Sequence, residues 1–216
     1  MDHLVNPFTD WASVVDCGDI PNSPFDKLQS IHELEAGWTS MGKRTTKAVD
    51  KGNHPRFVSI GGDHTISELL MSLTLCCSTQ SRGLTDMLAL PAIRALSKTW
   101  GRVAVLHFDS HLDSWDPKQL GGGLTKYSEI THGTMFHILA EAGLLSEDGN
   151  MHLGSRSMLF DQKYDLKHDA DCGFSYIRAR ELDEIGIDAV VQRIVEKVGD
   201  QYVYLSIDID SLDPGT

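Results

Sequence analysis

The side chains best suited to chemistry fall in short runs after apolar segments. Asp109-Ser110-His111-Leu112-Asp113 follows VAVLHF, and Asp208-Ile209-Asp210 follows YVYLSI. In an extended chain, residues two apart lie on the same side. Asp109, His111 and Asp113 therefore converge if the backbone stays extended beyond the strand end. Two carboxylates with an imidazole form a donor set that suits a divalent ion such as Mn2+. Asp208 and Asp210 flank Ile209, and carboxylates in so apolar a strand are costly to bury without a counter-charge. A third run, Gly61-Gly62-Asp63-His64, follows RFVSI; its glycines permit a tight turn and leave His64 at a strand's carboxyl end. Taken singly, each run also fits a solvated loop or a turn. Together they bring four carboxylates (Asp109, Asp113, Asp208, Asp210) and two imidazoles (His64, His111) to strand ends. Four negative charges balance two divalent cations, and without metal they repel one another.

The elements that must position these residues alternate in type. Short apolar runs at residues 12–15, 56–60, 103–108, 151–153, 174–177 and 202–209 read as strands. Helical spacing recurs over residues 26–47 (Leu28, Ile31, Leu34, Trp38, Met41), 134–143 with Gly143 as the stop, and 187–198. Strand–helix alternation with continuously apolar strands predicts an α/β fold, a three-layer α/β/α arrangement around a mostly parallel sheet. In such sheets ligands bind beyond the carboxyl ends of the strands, where the three runs lie. Residues 68–88 do not fit: ELLMSLTLCCSTQSRGLTDML begins as a helix and loses periodicity, and ALPAIRALSKTWG then starts afresh. Removing that stretch joins its flanks into one helix of ordinary length, so it reads as an insertion.

The 216 residues, 41% of them hydrophobic, predict one domain with one core. A net charge of −12 argues against nucleic acid or an anionic membrane as partner; it mildly favours a cationic small substrate through steering, although such a charge is first of all common on ordinary soluble proteins. Cys17, Cys76, Cys77 and Cys172 include no C-x-x-C pair, so neither a disulfide framework nor a structural zinc motif is read; a reducing compartment follows. MDHLVNPFTDW lacks the marks of a signal peptide, and no apolar run reaches the ~20 residues of a membrane span.

Four motifs, SIGGDHT (59–65), HFDSHLDSWD (107–116), THGTMFH (131–137) and SIDIDSLDP (206–214), together resemble those of the arginase/agmatinase, or ureohydrolase, family, in the family's order. Ser110 stands where the family motif usually has Ala. The resemblance implies two manganese ions, one held by His64, Asp109, Asp113 and Asp208, the other by Asp109, His111, Asp208 and Asp210, with Asp109 and Asp208 bridging. It implies hydrolysis of a guanidino group to urea and an amine, and His132 as the proton shuttle for the leaving amine, a task an imidazole performs near neutral pH. His137 is the alternative shuttle, though packing explains it more simply. Residues 114–131 resemble agmatinase-type members, whose substrates lack an α-carboxylate; agmatine or a related ω-guanidino compound such as 4-guanidinobutyrate is the expected substrate. In this loop Trp115 either packs on an alkyl chain or anchors the loop.

Measured against the resemblance, the chain is incomplete at both ends, lacking sheet strands and an acidic residue that would pair with the guanidinium. Missing strands expose edges and apolar faces, which predicts poor solubility and little activity for these residues alone. The resemblance implies a homo-oligomer for the full-length protein and a cytoplasmic or mitochondrial location. Two other readings compete: a catalytically inactive fragment or pseudoenzyme that retains the metal motifs, and a zinc deacetylase of related fold. The paired Asp208-x-Asp210 and GGDH argue against the deacetylase, and manganese rather than zinc dependence separates the two.

Overall fold

The computed structural model describes residues 14–45, 54–61, 88–120 and 122–212. Four parallel strands form one sheet: β1 (Ala104–Phe108), β2 (Asn150–Ser155), β3 (Phe174–Arg178) and β4 (Val203–Ile207), in the order β3-β2-β1-β4. Helix α1 (Lys27–Gly42) is followed by α2 (Ala89–Trp100), the short α3 (Pro117–Leu120) and α4 (Lys126–Glu129), then α5 (Met135–Glu141), α6 (Gln162–Asp171), α7 (Ala179–Ile185) and α8 (Ile187–Val198). Single 3-10 turns at His132–Thr134 and Ile209–Ser211 complete the described elements.

Strand alternation assigns the faces. Val105 and Phe174 join Leu90 and Ile93 of α2 and Met135, Phe136 and Leu139 of α5 in one core. Leu106, Phe108, Met151, Leu153 and Ile177 meet Leu182 of α7 and Val190 and Ile194 of α8 on the other. The sheet thus has helices on both faces, as the alternation predicts. Leu90, Ile93 and Phe136 are fully buried; each such side chain contributes about 1.5–3 kcal/mol by leaving water. Helix α1 docks on α2 through Trp38, Ala92 and Ala95. No helix among the described residues is long and apolar enough to cross a membrane.

Local signals explain the element ends. Asp26 caps α1, its carboxylate accepting from the Gln29 N–H. The α1 helix stops at Gly42, short of the predicted residue 47. Gly143, at φ +67°, closes the turn after α5. Helix α8 matches its predicted bounds.

Two predicted strands are corrected. Residues 56–60 alternate in exposure, but they pair with no strand among the described residues. Both sides of β1 are already taken by β2 and β4; Phe57 instead docks edge-on against Trp38 at 5.3 Å, and Val58 stays exposed. Of the predicted strand 12–15, residues 14 and 15 are irregular and exposed, and the rest lies outside the described residues. The proposed insertion lies outside them too, apart from Leu88. Strand β4 is an edge of the described sheet, with Val203, Leu205 and Ile207 half-exposed.

Candidate metal centre

The carboxyl ends of the adjacent strands β1 and β4 carry the two acidic runs. The ladder continues one residue past each strand: the Asp109 N–H donates to Leu153 O at 3.1 Å, and the Asp208 N–H to Phe108 O at 2.8 Å. Both carboxylates are thereby fixed to sheet backbone, and both are buried. Beyond that point the chain does not stay extended. It bends at residues 109–111, and Asp113 takes φ +54°, a left-handed conformation that costs a non-glycine residue about 1–2 kcal/mol and that Asp tolerates better than most. After β4, Asp208 caps the 3-10 turn, its Oδ1 accepting from the Asp210 N–H at 2.9 Å. Tight turns, rather than strand alternation, bring these residues together.

Two groups of potential ligands result, with Asp109 common to both. Asp109, His111 and Asp210 present ligand atoms within 4.8 Å of one another, and so do His107, Asp109 and Asp113. His111 Nδ1 lies 2.9 Å from Asp210 Oδ2 and 3.3 Å from Asp109 Oδ1. The His111 N–H donates to Asp109 Oδ1 at 2.6 Å, and the Ser110 N–H to Asp210 Oδ1 at 3.0 Å. The hydrogen bond to Asp109, then that to Asp210, push the His111 imidazole up to about 10 against the opposing effect of burial. A proton on His111 thus does the work of a cation between two carboxylates. Burial pushes the Asp109 carboxyl up, but the electrostatic pull and hydrogen bond of His107, with the hydrogen bonds of His111, outweigh it and hold the group well below the usual carboxylate range.

Beneath the carboxylates runs a buried chain that sequence reasoning missed. His107 and His152 are register partners on β1 and β2, both fully buried, with their Nδ1 atoms 2.9 Å apart. His152 Nε2 lies 3.0 Å from Asp169 Oδ1 on α6, which also accepts from Ser114 Oγ. Hydrogen-bond logic fixes the protons. His152 donates Nε2–H to Asp169, so its Nδ1 accepts from His107. His107 Nε2 then faces Asp109 Oδ2 at 3.0 Å. The donor set, oxygen-rich with imidazole, is one that a hard-to-borderline divalent ion accepts. The residues present therefore fit a metal.

Arg156 was missed as well. It donates to Asp210 O at 2.6 Å, Leu212 O at 2.9 Å and Ser211 O at 3.2 Å, pinning the turn that carries Asp210. A histidine inside the apolar strand MHL was the signal available for His152; Asp169 and Arg156 had none. Of the other predicted residues, His64 lies outside the described residues. His132 opens the 3-10 turn tied to the acidic loop by Trp115 N–H to Gly133 O at 2.8 Å and Phe136 N–H to Asp113 O at 3.0 Å. His137 faces elsewhere, toward His168 and Cys172. Trp115 is buried edge-on to Phe160 at 5.1 Å, so it anchors its loop.

A family model described as the arginase family matches residues 86–216. The chain belongs to the arginase family. A Schizosaccharomyces pombe relative named "Putative agmatinase 1" is 43% identical over 217 residues, which cover 97% of this chain and 49% of that protein. The agmatinase of Neisseria meningitidis (serogroup C) is 29% identical over 202 residues, 94% of this chain and 50% of its own length. The arginase-family chain thus spans about half the length of these curated relatives. The solved structure of proclavaminate amidino hydrolase from Streptomyces clavuligerus superposes with a TM-score of 0.75 at 26% identity, over 100% of this chain and 58% of the other.

Proposed function

We propose that this chain carries the metal centre of a ureohydrolase that converts agmatine, or a related ω-guanidino compound such as 4-guanidinobutyrate, to urea and the corresponding amine. The observation that carries this reading is the pair of ligand groups sharing Asp109 at the carboxyl ends of β1 and β4. A shared carboxylate is what a two-ion site requires, and the agmatinase names of the relatives favour a substrate without an α-carboxylate.

In this reading His64, Asp109, Asp113 and Asp208 hold one manganese ion, and Asp109, His111, Asp208 and Asp210 the other. When bound, such ions make water a competent nucleophile at neutral pH. The chain's own residues do the rest. The acidic cluster attracts a guanidinium cation. The His107–His152–Asp169 chain and Arg156 hold Asp109 and the Asp210 turn in place. His132, on the turn braced against Asp113 and Trp115, delivers a proton to the departing amine nitrogen as the C–N bond breaks.

The test is urea release from agmatine, 4-guanidinobutyrate and arginine by the manganese-loaded protein, with a chelated control. Urea and putrescine from agmatine, little urea from arginine and loss of both products on chelation support the reading. A folded, metal-loaded protein that releases urea from none of them overturns it and leaves the non-catalytic alternative.

A further inference from the structure

A second cluster of ligand atoms stands apart from the Asp109 centre, on helices rather than strand ends. His137 lies on α5; His168 lies in the last turn of α6, and Cys172, four residues on, is that helix's C-cap. One helical turn puts His168 and Cys172 on a common face, and α5 presents His137 to it. His137 Nδ1 is 3.0 Å from His168 Nε2, and Cys172 Sγ is 4.0 Å from each of those nitrogens. The imidazoles are stacked, with centroids 4.9 Å apart at 22°. We propose that His137, His168 and Cys172 form a separate site for a single zinc ion, with the fourth position open to water.

The distances carry the argument. In a tetrahedral zinc site with bonds of about 2.05 Å to nitrogen and about 2.3 Å to sulfur, ligand atoms lie about 3.3 Å (N–N) and about 3.6 Å (N–S) apart. Each observed separation is within about half an ångström of that pattern. A shared proton accounts for the contact between the two nitrogens, while helix α6 and the core place the sulfur 4.0 Å from both. All three ligand atoms lie within 4.8 Å of one another, as the ligands of one central cation do.

The chemistry matches. Two imidazoles and a thiolate form a softer donor set than the Asp109 cluster, and zinc prefers it to manganese. Burial, then the neighbouring charge of His168, push the His137 imidazole down, which favours the neutral form that can ligate. Burial, followed by Asp169, Asp171 and Asp116, pushes the Cys172 thiol up to about 12. The free thiol is therefore protonated and a poor nucleophile, whereas a bound zinc ion removes that proton. His137 and His168 are half-buried and Cys172 is buried, so the sulfur is shielded while the nitrogen side remains open to solvent. The proposal is independent of the guanidino reading, since none of the three residues belongs to the Asp109 cluster.

Cobalt tests it. The full chain is stripped with chelator, reloaded with manganese to fill the oxygen-rich centre, and titrated with Co2+. The expected result is a thiolate-to-cobalt charge-transfer band at one equivalent, with the strong visible absorption of tetrahedral cobalt, both removed by Zn2+. Cys172→Ser abolishes the charge-transfer band, His168→Gln weakens cobalt binding, and a variant with Cys17, Cys76 and Cys77 all changed to Ser keeps the band. Absence of the band in folded wild-type protein, or its persistence in Cys172→Ser, overturns the proposal. Should the variants fail to fold, zinc-edge X-ray absorption of the wild type decides: one sulfur with two imidazoles supports the site, and an oxygen-only shell refutes it.

Discussion

The two ligand clusters of this molecule are built in opposite ways. Around Asp109 the donors are mostly carboxylates, carried on turns that begin where strands β1 and β4 end and held by backbone N–H groups of their neighbours. Around His168 the donors are two imidazoles and a thiol, carried on helices and lying 31 and 35 residues apart in the pairs that involve His137. The first cluster gathers negative charge that a cation or a proton relieves. The second includes an imidazole and a thiol whose neutral forms burial favours. Each therefore responds differently to metal removal: the acidic cluster substitutes a proton on His111, and the helical cluster keeps its thiol protonated.

Four experiments sharpen or break this contrast. The largest effect is expected from Asp109→Asn. Because Asp109 belongs to both ligand groups, its loss should abolish manganese binding and urea release together, as followed by metal analysis and a urea assay, while leaving cobalt absorption at Cys172 intact. Next comes His132→Gln. Removing a general acid lowers turnover by about 10²–10⁴-fold; metal content should not change, and a variant that loses metal as well would reassign His132 to the centre itself. Third are the positioning residues. His152→Phe or Arg156→Ala should weaken manganese affinity by about 10–100-fold, the usual cost of losing an outer partner of a metal ligand. Equilibrium dialysis measures this, and unchanged affinity would remove the buried chain from any role in holding Asp109.

The smallest effect is one of pH. His111 is raised in the folded, metal-free state to about 10, from 6.5. A raised imidazole contributes stability in full below its unfolded value and loses it as pH climbs through the folded value. The melting temperature of metal-free protein should therefore gain a downward slope between pH 6.5 and about 10. That contribution should be missing from His111→Gln and from manganese-loaded protein. Because His111 is partly solvent-exposed, the slope should be modest. Manganese binding within this range should also release a proton, detectable by calorimetry in buffers of different ionisation enthalpy.

How much of this was legible beforehand follows from the range of the interactions involved. The runs Asp109–Asp113 and Asp208–Asp210 could be recognised because ligands two residues apart after an apolar strand leave a local mark, although the predicted extended backbone gave way to turns at Asp113 and Asp208. Helix α8 was readable from one apolar stripe. Helix α6 was not, because its buried positions are Asp165 and Asp169, which serve polar partners and break any hydrophobic periodicity. The segment 56–60 has the composition of a strand, yet strand formation depends on a neighbour, and it pairs with none among the described residues.

Composition, periodicity and short spacings were thus enough to establish the parallel α/β class and to single out the acidic runs at the carboxyl ends of β1 and β4 as candidate metal ligands. Those are properties of adjacent residues, and backbone geometry converts them directly into direction and face. Tertiary structure alone decided that His107 and His152 meet across two strands, that Arg156 pins the Asp210 turn, and that His137 turns away from the acidic centre toward His168 and Cys172. Each of these contacts joins residues far apart in the chain, and their meeting is set by sheet register and helix packing, for which no local pattern of side chains provides a code.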